Sequence, residues 1–265
     1  MHKVLKDILE KTKRQVKARK QETSIEKLNR KIVLQKSSLS HKFLTKIYAI
    51  GLKKTGVIAE IKLASPNAGI LGSEKDLTKK LKEYKKASVD ALSVVTEKTF
   101  FKGDLSLITK IKSTIDLPLL HKDFVVDPYQ VYESKALGAD ALLLIARILE
   151  KDQLKEFVDI CLEVGLDPVV EINSIEDAEK ALDSNTQIIA VNARDLDTFD
   201  MDVAYACALM KKIPLTYVKL GFSGVDSKKQ VRMYRHAGAS AVLIGTKLMQ
   251  TDGVKGFLKE VLSGD

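Results

Sequence analysis

The hydrophobic pattern of this chain changes character near residue 57. Downstream, short and nearly continuous apolar runs recur at 57–62, 91–96, 117–122, 141–146, 167–172, 187–192, 215–220 and 241–245, each followed by polar, helix-compatible sequence. Within 152–162, for example, Leu154, Phe157, Val158 and Cys161 fall at i, i+3, i+4 and i+7, the stripe of an amphipathic helix. Strands that are apolar on both faces and alternate with helices are parallel and covered on both sides. Eight of them predict an α/β fold, a closed (β/α)8 TIM barrel in preference to an open sheet. Gly138-Ala-Asp-Ala-Leu and Gly238-Ala-Ser-Ala-Val echo one another, as expected where a helix closes on glycine and turns into a strand. Upstream, Val4, Ile8, Val16 and Leu28 recur at roughly helical spacing among charges, which predicts an amphipathic helix over 3–30. The expected organisation is one barrel domain over 1–265, with 1–48 as an N-terminal helical extension and the only seam at 37–55.

Composition narrows the class. With 45% hydrophobic and 30% charged residues, the chain reads as globular. No run approaches the eighteen or so apolar residues of a membrane span, and 1–15 alternates charges and aliphatics without an apolar core, unlike a secretory signal. Cys161 and Cys207 lack metal-ligand spacing, so neither a disulfide scaffold nor a structural metal is expected, and a cytoplasmic location is. The 44 basic and 35 acidic residues leave a net charge of +9, which makes nucleic acid the first partner to test. The densest cluster, Lys11, Lys13, Arg14, Lys17, Arg19 and Lys20, has no aromatic neighbour or recognition motif. It therefore reads as the solvated face of a helix, with no nucleic acid and no membrane as partner.

Chemistry is expected where barrel strands run out at their carboxyl ends. Glu60 and Lys62 are two apart and project to the same side of the first strand. Lys122 ends the third strand, Glu171 closes the fifth and Asn192 closes the sixth. One such residue is explained by an internal ion pair, such as Glu60 with Lys62 or Lys122, because a lone ionisable group inside a barrel is costly. Five polar residues from four strands point to a site. Ser223-Gly224 after the seventh strand and Gly245-Thr246 after the eighth lie where many barrels hold a phosphate on backbone N–H groups.

The blocks at 58–66 (IAEIKLASP), 96–103 (TEKTFFKG), 121–130 (HKDFVVDPYQ), 169–172 (VVEI), 191–196 (VNARDL) and 243–249 (LIGTKLM) resemble indole-3-glycerol-phosphate synthases over most of the chain. The resemblance implies ring closure of 1-(2-carboxyphenylamino)-1-deoxyribulose 5-phosphate, with loss of carbon dioxide and water and no cofactor. It implies Lys122 as general acid, Lys62 as anion partner and second proton donor, and Glu171 as general base. Glu60 and Asn192 would position hydroxyls and lysines. Arg194 and Phe124 would bind substrate, and Ser65, Ser223, Gly224, Gly245 and Thr246 fall on phosphate-loop positions. The expected partner is a phosphorylated small molecule, and the protein is expected to be a monomer or loose homodimer able to associate with pathway enzymes. Two departures stand out. Phe222 occupies the place of a family carboxylate, which is read as auxiliary, with Glu60 and Glu171 sufficient; the alternative is a slowed or altered enzyme, because a phenyl ring cannot hold a lysine charged as a carboxylate does. Asn67-Ala68 falls in a commonly more basic loop. The alternatives are another phosphosugar barrel, such as phosphoribosylanthranilate isomerase, or a degenerate barrel that binds or scaffolds.

Overall fold

The computed structural model describes residues 3–34, 41–198 and 200–263. Eight parallel strands close a barrel in chain order: β1 (Gly56–Ile61), β2 (Ala91–Val95), β3 (Leu119–Lys122), β4 (Ala141–Ile145), β5 (Asp167–Ile172), β6 (Ile188–Asn192), β7 (Val218–Phe222) and β8 (Ala241–Ile244), with β8 pairing back onto β1. Alternation along each strand separates two apolar sets. Val57, Ala59 and Ile61 face the outer helices, whereas Ile58, Leu120, Val169, Ala190 and Leu220 fill the interior. Two residues beyond each of these five interior positions stand Glu60, Lys122, Glu171, Asn192 and Phe222. The period of two thus carries the polar set to the carboxyl mouth.

The extension is three helices, not one. The expected helix over 3–30 is broken into α1 (Lys3–Glu22) and α2 (Ile25–Leu34). Ser24 interrupts it because its hydroxyl accepts from the Lys27 N–H at 3.4 Å and restarts the helix. The seam expected at 37–55 is largely a third helix, α3 (Lys42–Gly51); its residues 37–40 lie outside the described residues. Phe43 and Ile47 on α3 are fully buried and join the barrel interior. Asp167, at the start of β5, accepts from the backbone N–H groups of Phe43 and Leu44 at 3.1 and 3.0 Å. The α3 helix is therefore a plug at the amino end. At the mouth, Leu5, Ile8 and Leu9 of α1 join the same interior cluster.

Two smaller differences concern strand bounds. The strand expected at 215–220 is shifted to Val218–Phe222, because Pro214 and Tyr217 form a turn (Tyr217 N–H to Pro214 O, 3.3 Å) that leaves Leu215 exposed. The shift places Phe222 inside the barrel. After β1 a short antiparallel hairpin pairs Ala64–Ser65 with Gly69–Ile70. No helix among the described residues is long and apolar enough to cross a membrane.

Candidate active site

All twelve residues singled out from the sequence line two adjoining cavities at the carboxyl mouth. The more apolar one, of about 280 Å³, is lined by Glu60, Lys62, Ser65, Lys122, Phe124, Glu171, Asn192 and Arg194. The second is lined by Ser223, Gly224, Gly245 and Thr246, and shares Glu60, Lys62, Lys122 and Arg194 with the first.

Glu60 is the electrostatic hub. Only 2% exposed, it meets Lys62 Nζ through Oε1 at 2.9 Å and Lys122 Nζ through Oε2 at 3.5 Å. Burial works against its charge, but the two ammonium groups outweigh it and hold the carboxyl below the usual range. Burial likewise opposes the charge on Lys122, and Glu60 with Glu171 overcomes it, raising that lysine above its ordinary value. The ion pair suspected from the sequence therefore exists, and it opens into a cavity.

Glu171 is tuned the other way. Burial pushes its carboxyl up, and Lys122 and Asn192 only partly compensate. Asn192 donates from Nδ2 to Glu171 Oε1 at 3.1 Å, and its own Oδ1 accepts from the Arg194 N–H at 3.0 Å. Glu171 Oε2 is buried and has no hydrogen-bond partner among the described residues. A carboxyl with one anchored oxygen, one free oxygen and a raised proton affinity is suited to take and return a proton.

Phe222 does not leave the lysine without a neighbour. It is fully buried, and Lys122 Nζ lies 5.1 Å from its ring centroid, within cation–π range. Such a contact is worth about 0.5–2 kcal/mol. Phe222→Leu is accordingly expected to lower kcat about two- to thirtyfold with little change in KM, as the ammonium loses a face that orients it. Steady-state kinetics check this, and an unchanged kcat would reduce the ring to filler.

Glycine matters at two turns. Ser223 and Gly224 are both left-handed, at φ 68°, and the Tyr234 hydroxyl pins their turn by donating to Phe222 O and Ser223 O at 2.9 and 3.0 Å. At Gly245 a Cβ would overlap Glu60 Oε1 and stand 3.2 Å from Lys62 Nζ. Gly245→Ala is therefore expected to displace the Glu60–Lys62 pair and lower kcat/KM by about 10²-fold, the usual cost of about 1 Å of misplacement. Kinetics beside a thermal melt test this, and near-normal activity would show the carboxylate free to move.

Sequence reasoning missed the wall of the more apolar cavity: Leu5, Ile8, Phe101, Leu143, Ile145 and Leu196. The inward phase of β4 could have revealed Leu143 and Ile145. The contributions of α1 and the loops depend on tertiary folding. Among the described residues, no three His, Cys, Asp or Glu side chains are arranged to hold a metal.

Two lysines beside two buried carboxylates, one carboxylate held below the usual range and the other pushed above it, at the carboxyl face of a closed barrel define an acid–base enzyme of the (β/α)8 class. The chain belongs to the indole-3-glycerol phosphate synthase family, whose profile matches residues 5–261. It is 46% identical over 213 residues to an indole-3-glycerol phosphate synthase of Caldanaerobacter subterraneus subsp. tengcongensis, covering 80% of this chain and 83% of that one. It is 40% identical over 265 residues to one from a Thermoanaerobacter species, covering 98% and 99%. The fold is similar to a solved mutant tryptophan synthase α-subunit of Pyrococcus furiosus, with a TM-score of 0.60 at 14% identity over 78% of this chain and 97% of that one. The activity is that of the family, a decarboxylating, ring-closing lyase of tryptophan biosynthesis.

Proposed function

We propose that Lys122 and Glu171 form the acid–base pair that closes the indole ring of 1-(2-carboxyphenylamino)-1-deoxyribulose 5-phosphate. The observation carrying this reading is the placement of Lys122 between Glu60 and Glu171, which hold its charge, in a cavity with an apolar wall at one side and glycine turns at the other. The Lys122 ammonium donates its proton to the ketone oxygen as the aromatic carbon attacks, so the new C–C bond forms as the carbonyl becomes a hydroxyl. Carbon dioxide then leaves and the bonding pair re-forms the aromatic ring. Glu171 takes up a ring proton as the hydroxyl departs as water, with Lys62 as proton donor and partner of the substrate carboxylate. Asn192 keeps Glu171 oriented, and Glu60 keeps both lysines oriented. Arg194 and Phe124 flank the aromatic end, while Ser65, Ser223, Gly224, Gly245 and Thr246 receive the phosphate.

The two buried, unpaired cysteines support a reducing, cytoplasmic setting; we take the protein to be a monomer or loose homodimer. The test is indole product fluorescence after adding the carboxyphenylamino substrate to purified protein. Substrate binding without product would overturn the assignment and favour a degenerate, binding-only barrel.

A further inference from the structure

One buried titratable group that the mechanism leaves unused adjoins its general acid. His121, adjacent to Lys122, is 1% exposed and sits on the outer face of β3 beneath the helix Tyr129–Ala136. Each ring nitrogen faces a hydroxyl: Nδ1 meets Ser134 Oγ at 2.7 Å, and Nε2 meets Thr96 Oγ1 at 2.8 Å. Each hydroxyl has a single proton, and both are committed elsewhere. Ser134 donates to the Gln130 carbonyl at 2.5 Å, an oxygen that can only accept. Thr96 donates to Asp123 Oδ2. Asp123 accepts at both oxygens, from Thr96 at Oδ2 and from the Phe124 N–H at Oδ1 at 2.8 Å, and a carboxylate that only accepts has no proton to give. With the two hydroxyl protons so directed, both nitrogens of His121 donate.

We infer that His121 is a buried imidazolium that acts as a positioning residue, holding the Lys122–Phe124 segment in register for catalysis. Its counter-charge is Asp123, with Oδ2 3.8 Å from Nε2; Glu133, next to Ser134 on the overlying helix, pairs with Arg19 of α1 at 2.7 Å. Thr96 comes from the end of β2 and Ser134 from the helix. The positively charged ring thus ties two elements to Asp123, which turns its other oxygen to the Phe124 N–H at 2.8 Å. The Thr96 N–H donates to the Lys122 carbonyl at 3.2 Å, so the same clamp holds the backbone of the general acid. Through Glu133 and Arg19 the network also reaches the helix whose Leu5 and Ile8 wall the cavity. The positioning role rests on the assignment of Lys122 as acid; the protonation state does not.

Two measurements test the inference separately. In histidine-labelled protein at neutral pH, nitrogen-detected NMR should show both His121 ring nitrogens protonated, with slowly exchanging N–H signals that His121→Arg removes. A pyridine-type nitrogen at His121 would overturn the charged state whatever the enzyme's reaction. Kinetically, His121→Met removes both donors at similar bulk and should lower kcat about 10- to 100-fold with little change in KM, the scale of a displacement of about 1 Å or less. His121→Arg keeps the charge and two donors, and should restore most of that loss. Equal losses in the two variants, or none in either, would overturn the positioning role. Thermal melts of both variants separate loss of fold from loss of register, and the wild-type spectrum stands whether or not either variant folds.

Discussion

Replacing Lys122 by alanine will lower kcat by about 10²–10⁴-fold, the range a positioned proton donor supplies, while leaving the barrel folded. The lysine stands at the last residue of β3, paired with Glu60 and stacked over Phe222, and neither neighbour can replace its proton. Stability should fall only modestly. Glu60 keeps Lys62 at 2.9 Å, so the hub carboxylate is not stranded, and the lysine side chain is 21% exposed. A loss of about 1–2 kcal/mol would lower the melting temperature by a few degrees in a domain of this size. KM should change less than kcat, because the proton is transferred in the transition state and not in the ground state. Turnover within about threefold of wild type, in a variant that melts normally, would remove Lys122 from the acid's role.

The part of the site that is legible in the sequence is the part built by strand periodicity. Glu60 and Lys62, two apart on β1, share one side as alternation requires, and the 2.9 Å ion pair follows from that spacing. Lys122, Glu171 and Asn192 each interrupt an apolar run near its carboxyl end, and a closed barrel has only one place to gather such groups. What stays hidden depends on contacts distant in sequence. Phe222 and Lys122 are paired by barrel closure, so a sequence view sees a missing carboxylate where the fold supplies an aromatic face. The β7 boundary is obscured because Leu215 continues the apolar pattern although a proline turn keeps it in solvent. The α3 plug has only Phe43 and Ile47 as its inward signal, four residues apart in a segment that otherwise resembles a connection. The protonation of His121 is more hidden still, because it follows from where the hydroxyl protons of Thr96 and Ser134 go.

Glu171→Gln should produce the less usual combination of a large loss of activity with a gain in stability. Glutamine keeps the acceptor that Asn192 Nδ2 reaches at 3.1 Å, so the amide should occupy the place of the carboxyl. It has no proton affinity in the working range, and kcat should drop by about 10²–10⁴-fold. The stability gain follows from the raised proton affinity of Glu171. Burial raises it in the folded chain despite Lys122 and Asn192. Between the ordinary glutamate value and the raised one, the folded state therefore binds a proton that the unfolded state has released. Stability then falls as pH rises through that window, and the wild type carries the full penalty above it. Every tenfold rise in proton affinity costs about 1.4 kcal/mol, a penalty the neutral amide avoids. Denaturant melts from pH 4 to 8 should show a steeper alkaline loss of stability in the wild type than in the variant, with the variant more stable at the upper end. Equal slopes, or a variant less stable than wild type at pH 8, would mean that Lys122 fully compensates the buried charge. Glu171 would then be an ordinary ion-pair partner, and the base would have to be sought elsewhere in the cavity.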